Sequence, residues 1–364
     1  MTLVGIIANP ASGRDIRRLV AHGSVFDNDE KVNIVRRVLH GLEAVGVERV
    51  WIMPDDFGIG LKALDGLRLG LDVSLLAMAA TFSDEDSRRA AALMAEGGAG
   101  CIVTLGGDGT NRVVAKASRD VPLMPISTGT NNVFPTMIEG TIAGLAAGLV
   151  ARGLAEGAVR RAPRLDVVRL RPAPGGADAP ADGAPDDIAL VDAAVYDERF
   201  IATRAIWQPS KIKEVVLTRA EPGNIGLSSI GAHVLSGDEP PGHGLHLRMG
   251  PGGQPVLAPI APGLVGVTSV AERRLLGPGD EVVVRQERAC VLALDGEREI
   301  QLRAGAAVRL RLNPDGPRVV DARAAIALAA RAGVFTADRS ARASAGPSAH
   351  AQLDQLGDHA ADAR

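Results

Sequence analysis

Between residues 3 and 126 the chain repeats one pattern: a short, unbroken apolar run, then a longer stretch of mixed polarity. The runs are Leu3–Ala8, Val50–Met53, Leu71–Ala77, Cys101–Leu105 and Leu123–Ile126. Runs this short and apolar on both faces read as strands buried on both sides, the habit of parallel sheets covered by helices. Between them, Lys31–Val45 and Ser83–Ala95 carry helical periodicity. Ser83 is a candidate N-cap for the second, with Glu85 and Asp86 placed to complement the helix dipole. Strand–helix alternation of this kind predicts an α/β domain with a doubly wound, mostly parallel sheet.

Near Arg160 the rhythm changes. Leu165–Leu170, Ile188–Tyr196, Lys213–Leu217, Leu245–Met249, Val265–Ser269, Glu281–Val284, Ala289–Leu294 and Val308–Leu312 are short strand candidates punctuated by Gly, Pro and Asp, with no long helix among them. This predicts an all-β, sandwich-like second domain. At 364 residues the chain has room for two domains. The division expected is 1–158 for the α/β nucleotide-binding part and 159–320 for the β-rich part. Residues 172–187, rich in Pro, Gly, Ala and Asp, read as a flexible insertion between strands. Asp321–Ala332, within a segment 321–336, reads as a helix returning to the first domain. Residues 337–364 have the composition of a disordered tail.

Charge and composition exclude several partners. A net charge of −3 removes the general attraction to nucleic acid and anionic lipid, and 2% aromatic residues offer no stacking platform for bases. The apolar stretch 142–159 is interrupted by Arg152 and Glu156, so it does not read as a membrane span. Cys101 and Cys290 each lie in an apolar run and read as buried, inert thiols. With no signal-peptide pattern at the start, the expected setting is a reducing compartment, the cytoplasm.

In an open α/β sheet, ligands bind outside the carboxyl ends of the strands. Three loops there consist of small hydrogen-bonding residues: Asn9-Pro-Ala-Ser12-Gly13 after the first strand, Gly106-Gly107-Asp108-Gly109-Thr110-Asn111 after the fourth, and Thr128-Gly129-Thr130-Asn131-Asn132 after the fifth. Glycines 106, 107 and 109 admit a phosphate close to the backbone, and the helix opening at Thr110 and Asn111 offers free N–H groups to anionic oxygens. Asp108 is the odd member. A carboxylate near phosphate is repulsive unless a cation bridges the two or the carboxylate takes a proton from an attacking hydroxyl. Asp108 therefore reads as general base or metal contact, or else as the N-cap of a tight strand–helix turn. Neither a Gly-x-x-x-x-Gly-Lys-Ser/Thr loop nor a Gly-x-Gly-x-x-Gly after the first strand occurs, so neither familiar nucleotide grip is present.

These residues resemble a known superfamily. Gly-Gly-Asp-Gly-Thr after a strand is similar to the signature that joins NAD kinases with diacylglycerol and sphingosine kinases. Asn-Pro-Ala-Ser-Gly and Thr-Gly-Thr-Asn-Asn resemble loops on the lipid-kinase side. Leu257-Ala-Pro-Ile-Ala-Pro-Gly-Leu264 resembles a segment of NAD kinases, with Ala258 and Gly263 replacing Thr and His. Leu294-Asp-Gly-Glu297 matches a late motif of both branches. As a unit, Gly-Thr-Asn-Asn-Val-Phe-Pro looks most like the acetoin-catabolism X group, which is ATP-NAD kinase-like.

The resemblance implies ATP and Mg²⁺ in the cleft between the domains and NAD as acceptor, phosphorylated on its adenosine 2′-hydroxyl. It gives phosphate-binding roles to Asn9, Ser12, Gly13, Gly106, Gly107, Gly109, Thr110, Asn111, Thr128, Gly129, Thr130, Asn131 and Asn132. Asp108 becomes the catalytic base, Glu297 an acid/base near the acceptor and Asp295 a metal contact, although Asp-Gly at 295–296 also suits a plain hairpin turn. It further implies a dimer or tetramer. Two departures stand out. The adjacent Asn-Glu or Asn-Asp pair with which NAD kinases grip the dinucleotide is missing between Thr110 and Val195. Their Gly-Ser-Thr-Ala-Tyr segment is only echoed at 223–231. A lipid or small-alcohol kinase and a non-catalytic nucleotide-binding regulator are the alternative readings. Of the lesser candidates, Arg14, Arg17, Arg18 and Arg112 suit phosphate neutralisation or a solvated surface equally well. Asp55-Asp56 reads as a solvated loop, and His243 and His246 lack a third metal ligand.

Overall fold

In the computed structural model, which describes residues 1–13, 26–172, 178–180, 184–198, 209–235 and 237–336, the five N-terminal runs are parallel strands. They are β1 (Leu3–Ala8), β2 (Arg49–Ile52), β3 (Asp72–Leu75), β4 (Cys101–Gly106) and β5 (Leu123–Ser127), in the spatial order β3-β2-β1-β4-β5. All residues of β1, β4 and β5 are buried, as the unbroken apolar runs require. Alternate side chains feed two cores. Val4, Ile6, Val103, Leu105, Met124 and Ile126 face one, while Leu3, Ile7, Ile102 and Leu123 face the other.

Five helices cover this sheet: α1 (Asn28–Ala44), α2 (Ile59–Leu64), α3 (Asp84–Glu96), α4 (Asp108–Ala115) and α5 (Gly140–Ala151). Asp27 caps α1 by accepting from the Glu30 N–H. Ser83 holds the N-cap position of α3 but makes no capping bond. Its hydroxyl pairs instead with Thr81 Oγ1, and Asp86 reaches back to the N–H groups of Thr81 and Phe82. The cap expected of Ser83 is thus not made; Asp86 instead ties the preceding turn to the first turn of the helix. Helices α1 and α5 cross at two glycines. A Cβ on Gly41 would collide with the Thr141 carbonyl, and one on Gly144 with that of Val38.

The β-rich part is two antiparallel sheets. One runs β13-β12-β11-β10-β15-β16, from β10 (Asp192–Tyr196), β11 (Ile212–Leu217), β12 (Gly244–Ala261), β13 (Leu264–Leu276), β15 (Cys290–Leu294) and β16 (Glu297–Leu302). The other runs β14-β17-β7-β8, from β7 (Arg164–Pro172), β8 (Asp178–Pro180), β14 (Glu281–Arg285) and β17 (Ala307–Asn313), with β9 (Asp187–Ala189) also on β7. Their facing sides bury Leu165, Val167, Val195, Leu292, Val308 and Leu310 in one core. The outer face of the larger sheet is covered by α6 (Leu227–Val234), which buries Leu227, Ile230 and Val234.

Sequence reading placed one strand over Ile188–Tyr196; the chain instead breaks at Leu190–Val191, where Asp295 captures the backbone. Within the stretch read as a flexible insertion, β8 pairs with β7 and Asp187 opens β9. Residues 173–177 and 181–183 lie outside the described residues, as do Arg14, Arg17, Arg18 and the tail 337–364.

The last described elements return to the first domain. β18 (Arg318–Val320) lies parallel to β5, β6 (Val159–Arg161) pairs antiparallel to it, and α7 (Ala322–Arg331) buries Ala322, Ala325 and Ala329 in the α1–α5 core. Among the described residues no helix is long and apolar enough to cross a membrane.

Candidate functional site

The three glycine-rich loops meet at the carboxyl ends of β1, β4 and β5. Asn9 Nδ2 donates to Thr110 Oγ1 at 2.9 Å, and Ser12 Oγ shares a hydrogen bond with Thr128 Oγ1 at 2.9 Å. The Thr128 N–H donates to the Gly106 carbonyl at 3.3 Å. Asn132 Nδ2 donates to Ser127 Oγ at 2.8 Å and, more weakly, to the Gly129 carbonyl. Close approach explains two of the glycines. A Cβ on Gly107 would lie 2.9 Å from Asn132 Oδ1, and Gly13, at φ +78°, leaves only 2.9 Å between such a Cβ and the Thr128 carbonyl. Asn9, Ser12, Gly13, Gly106, Gly107, Thr110, Thr128, Gly129 and Asn132 therefore form one cluster, with Thr130 partly buried beside Gly129.

Asn111 does not join its ligand-facing side. Fully buried, it accepts from Thr104 Oγ1 at 2.6 Å and donates to the Gly107 carbonyl at 2.9 Å. Its side chain holds the loop against β4, and its N–H donates to the same Gly107 carbonyl at 3.1 Å.

Beneath the first loop lies a residue that the sequence reading passed over. Lys31, on the buried face of α1, is 0% exposed. Its Nζ donates to the carbonyls of Asn9 (2.8 Å) and Ser12 (2.8 Å), to Pro10 at 3.4 Å and to Asn28 Oδ1 at 3.0 Å. A buried ammonium is tolerated only with such partners, and here they are the backbone of the loop itself. The signal was present: Lys31 begins the apolar stripe Val35, Val38, Leu42, where a cation is out of pattern.

Asp108 opens α4 and is 8% exposed. Its carboxylate accepts from the N–H of Phe134 at 2.8 Å and of Val133 at 3.1 Å, tying the second loop to the end of the third. It also borders a small pocket at the domain seam with Asn131, Asp192, Ile225, Gly226, Leu227 and Asp295. Glu297 arrives from the β15–β16 hairpin, its two carboxylate oxygens 3.3 Å from where a Gly109 Cβ would stand.

Asp295 sits with Gly296 in the turn of the β15–β16 hairpin. At φ +52° and with a fully buried side chain, it accepts from the N–H groups of Val191 (2.7 Å), Leu190 (2.9 Å) and Asp192 (3.3 Å), acting as a backbone clamp. Burial pushes its pKa up, opposed by Arg112, whose Nε lies 3.5 Å away, and by these donors. Among the described residues no three His, Cys, Asp or Glu side chains converge to hold a metal ion. Asp108 and Glu297 are the two carboxylates at the edge of the glycine-rich loops, fewer protein ligands than a metal held by the chain alone would need.

Arg112 is not a solvated surface residue. At 3% exposure it spans Asp295 and, at 3.4 Å, Asp187, which Lys116 also grips at 2.6 Å. Asp55, half-buried, and Asp56, exposed as a solvated loop residue is, both line a crevice with Asn9, Pro10, Phe57 and Phe82 at the ends of β1 and β2. Burial raises the Asp55 pKa against the N–H donors of Ile59 and Phe57. His246 pairs with Glu214 at 2.6 Å.

The domains match two families. Residues 4–154 match the ATP-NAD kinase N-terminal domain, and residues 178–315 the acetoin catabolism protein X C-terminal domain. Acetoin catabolism protein X of Cupriavidus necator is 41% identical over 345 residues, covering 90% of this chain and 92% of that protein. Among solved structures, a diacylglycerol kinase from Bacillus anthracis is 13% identical over 88% of this chain and 96% of its own, with a TM-score of 0.45. A putative diacylglycerol kinase of the same organism is 12% identical over 88% and 97%, with a TM-score of 0.46.

Proposed function

The chain belongs to the acetoin catabolism protein X family, and from that premise we propose that it is a phosphotransferase moving a phosphoryl group from ATP to a hydroxyl, the adenosine 2′-hydroxyl of NAD. The observation that carries this reading is the convergence of three small-residue loops over a buried lysine, with two carboxylates at their edge. Phosphoryl transfer asks a protein mainly for positioning and charge stabilisation, and such loops supply both.

In this scheme the backbone of 9–13, 106–110 and 128–132 cradles the phosphates. The Lys31 charge lies beneath the first loop, and the crevice lined by Asp55 and Asp56 takes the donor nucleoside, whose ribose hydroxyls suit carboxylate acceptors. Mg²⁺, when bound with the nucleotide, neutralises phosphate charge. Asp108, fixed by two N–H donors, orients the acceptor hydroxyl and takes its proton as the new P–O bond forms and ADP leaves. Glu297, facing Gly109 from the other domain, completes the site when the domains are together.

One observation favours a second reading, a regulator that binds nucleotide without turnover: the Asp108 carboxylate is already engaged by Val133 and Phe134. The experiment separating the two supplies purified protein with ATP, Mg²⁺ and NAD, and reads NADP with an NADP-specific dehydrogenase. The wild type is expected to form NADP, and Asp108→Asn to lower kcat by about 10²–10⁴-fold. Nucleotide binding with no turnover of any acceptor would select the regulator.

A further inference from the structure

Natural structures leave few buried polar atoms without partners, so a cluster of them calls for an explanation. Among the described residues, Arg219 Nε and Nη2, Asn224 Nδ2 and Asn131 Oδ1 are all buried without a hydrogen-bond partner. They belong to two segments that face each other across the domain seam. Asn131 lines the small pocket there, as do Ile225, Gly226 and Leu227, which directly follow Asn224. Arg219 lies over the ring of Phe134, its guanidinium carbon 5.3 Å from the centroid, beside pocket-lining Val133.

The segment that carries Arg219 is firmly held. Thr218 just before it donates from its hydroxyl to the Leu190 carbonyl at 2.7 Å and from its N–H to Val191, in the same turn that Asp295 clamps. The guanidinium is thus delivered to the seam by anchored backbone. Burial pushes its pKa down, while Glu221, Asp108 and Asp295 act in the opposite sense. Nε and Nη2 form the parallel-donor edge of a guanidinium, the edge that receives a carboxylate or phosphate through two parallel bonds. Helix α6 begins at the same place: its N-cap, Gly226, offers no side-chain cap, and Gly226 and Leu227 both line the pocket.

We propose that Arg219, Asn224 and Asn131 form an anion-recognition subsite at the domain seam, which takes an oxyanion of the acceptor on the Nε/Nη2 edge of Arg219. The ligand class is an alcohol bearing a phosphate or a carboxylate. Naming it the acceptor rests on the phosphotransferase reading; anion binding at this place does not.

The test uses the full chain with saturating Mg-ADP to fill the donor loops. Calorimetry then compares inorganic phosphate, acetate, NAD and phosphate-free adenosine for the wild type, Arg219→Gln and Arg219→Lys. The wild type is expected to bind phosphate and NAD or, if a carboxylate is the natural group, acetate. Arg219→Gln weakens this at least about tenfold, while Arg219→Lys falls between. Adenosine binding is unchanged. Thermal melts of the ligand-free proteins give the second readout: removing an unpartnered buried charge leaves Arg219→Gln as stable as the wild type or more so. Equal anion affinity in wild type and Arg219→Gln overturns the subsite. So does wild-type indifference to every anionic probe, or a melting temperature several degrees lower in Arg219→Gln, which would make the arginine structural. Arg219-dependent anion binding without any ADP formation from ATP would support the subsite and remove the phosphotransferase reading alone.

Discussion

Lys31 shows how a single side chain can serve fold and chemistry together. Its ammonium satisfies carbonyls that the tight turn at Asn9–Ser12 would otherwise leave without donors, and it places a positive charge under the loop to which we assign phosphate binding. Lys31→Met keeps the apolar stem and removes the charge; it is expected to lower stability by about 3 kcal/mol, since several buried acceptors lose their donor. Denaturant titration reads that loss, and calorimetry with Mg-ATP is expected to show weakened binding. Unchanged values in both would remove Lys31 from the site. The two thiols make a pH prediction. Burial pushes Cys101 up to about 12 and Cys290 up to about 11, whereas unfolded thiols titrate near ~8.5. Above that pH the unfolded chain sheds protons that the folded chain keeps, so stability falls as pH rises towards 11–12. A Cys101→Ala, Cys290→Ala chain should show a shallower decline in denaturant midpoint between pH 8 and 10. Most of the loop residues could be read from sequence because small hydrogen-bonding residues at strand ends have few other uses. Arg219, Asn224 and the task of Asp295 could not, because they act through partners more than 80 positions away in the chain.

At the scale of elements, unbroken apolar runs identified the parallel strands with little ambiguity, and their ends shifted by only a few residues, although burial on both faces holds for β1, β4 and β5 and not for the edge strand β3, which is exposed or half-buried throughout. Helix α4 was legible from its opening at Thr110 and Asn111, two residues past the Asp108 at which it begins. Helix α5 hid because Gly140–Ala151 is apolar all round, which erases any amphipathic stripe. The same small residues let α5 approach α1 at Gly41 and Gly144. Gly144→Ala adds one methyl where the Val38 carbonyl already stands, so a helix-favouring substitution becomes an overpacked one. We expect a loss of about 1–3 kcal/mol and a lower melting temperature. A stabilised Gly144→Ala protein would show that the crossing has room to open.

The whole molecule is interlaced rather than strung in series. Residues 318–331 leave the β-rich part and complete the first domain's sheet and core through β18 and α7. Arg112, Lys116, Asp187 and Asp295 tie the two parts together from the other side. Heat should therefore unfold both parts in one transition. A chain ending at residue 316 should lose that cooperative transition in calorimetry, while one ending at residue 336 keeps every described element and should melt like the full protein. Two separate transitions in the full chain would show that the interlacing is loose. There is also a consequence in time. A ribosome adds about 5–20 residues per second, so β18 follows β5 by roughly 10–40 s. Throughout that interval the β5 edge and the apolar side of α5 wait for a strand and a helix not yet made. A nascent chain is thus exposed to aggregation and proteolysis until β18 and α7 have been made, and a fragment released before then lacks the finished sheet that would hold its glycine-rich loops in place.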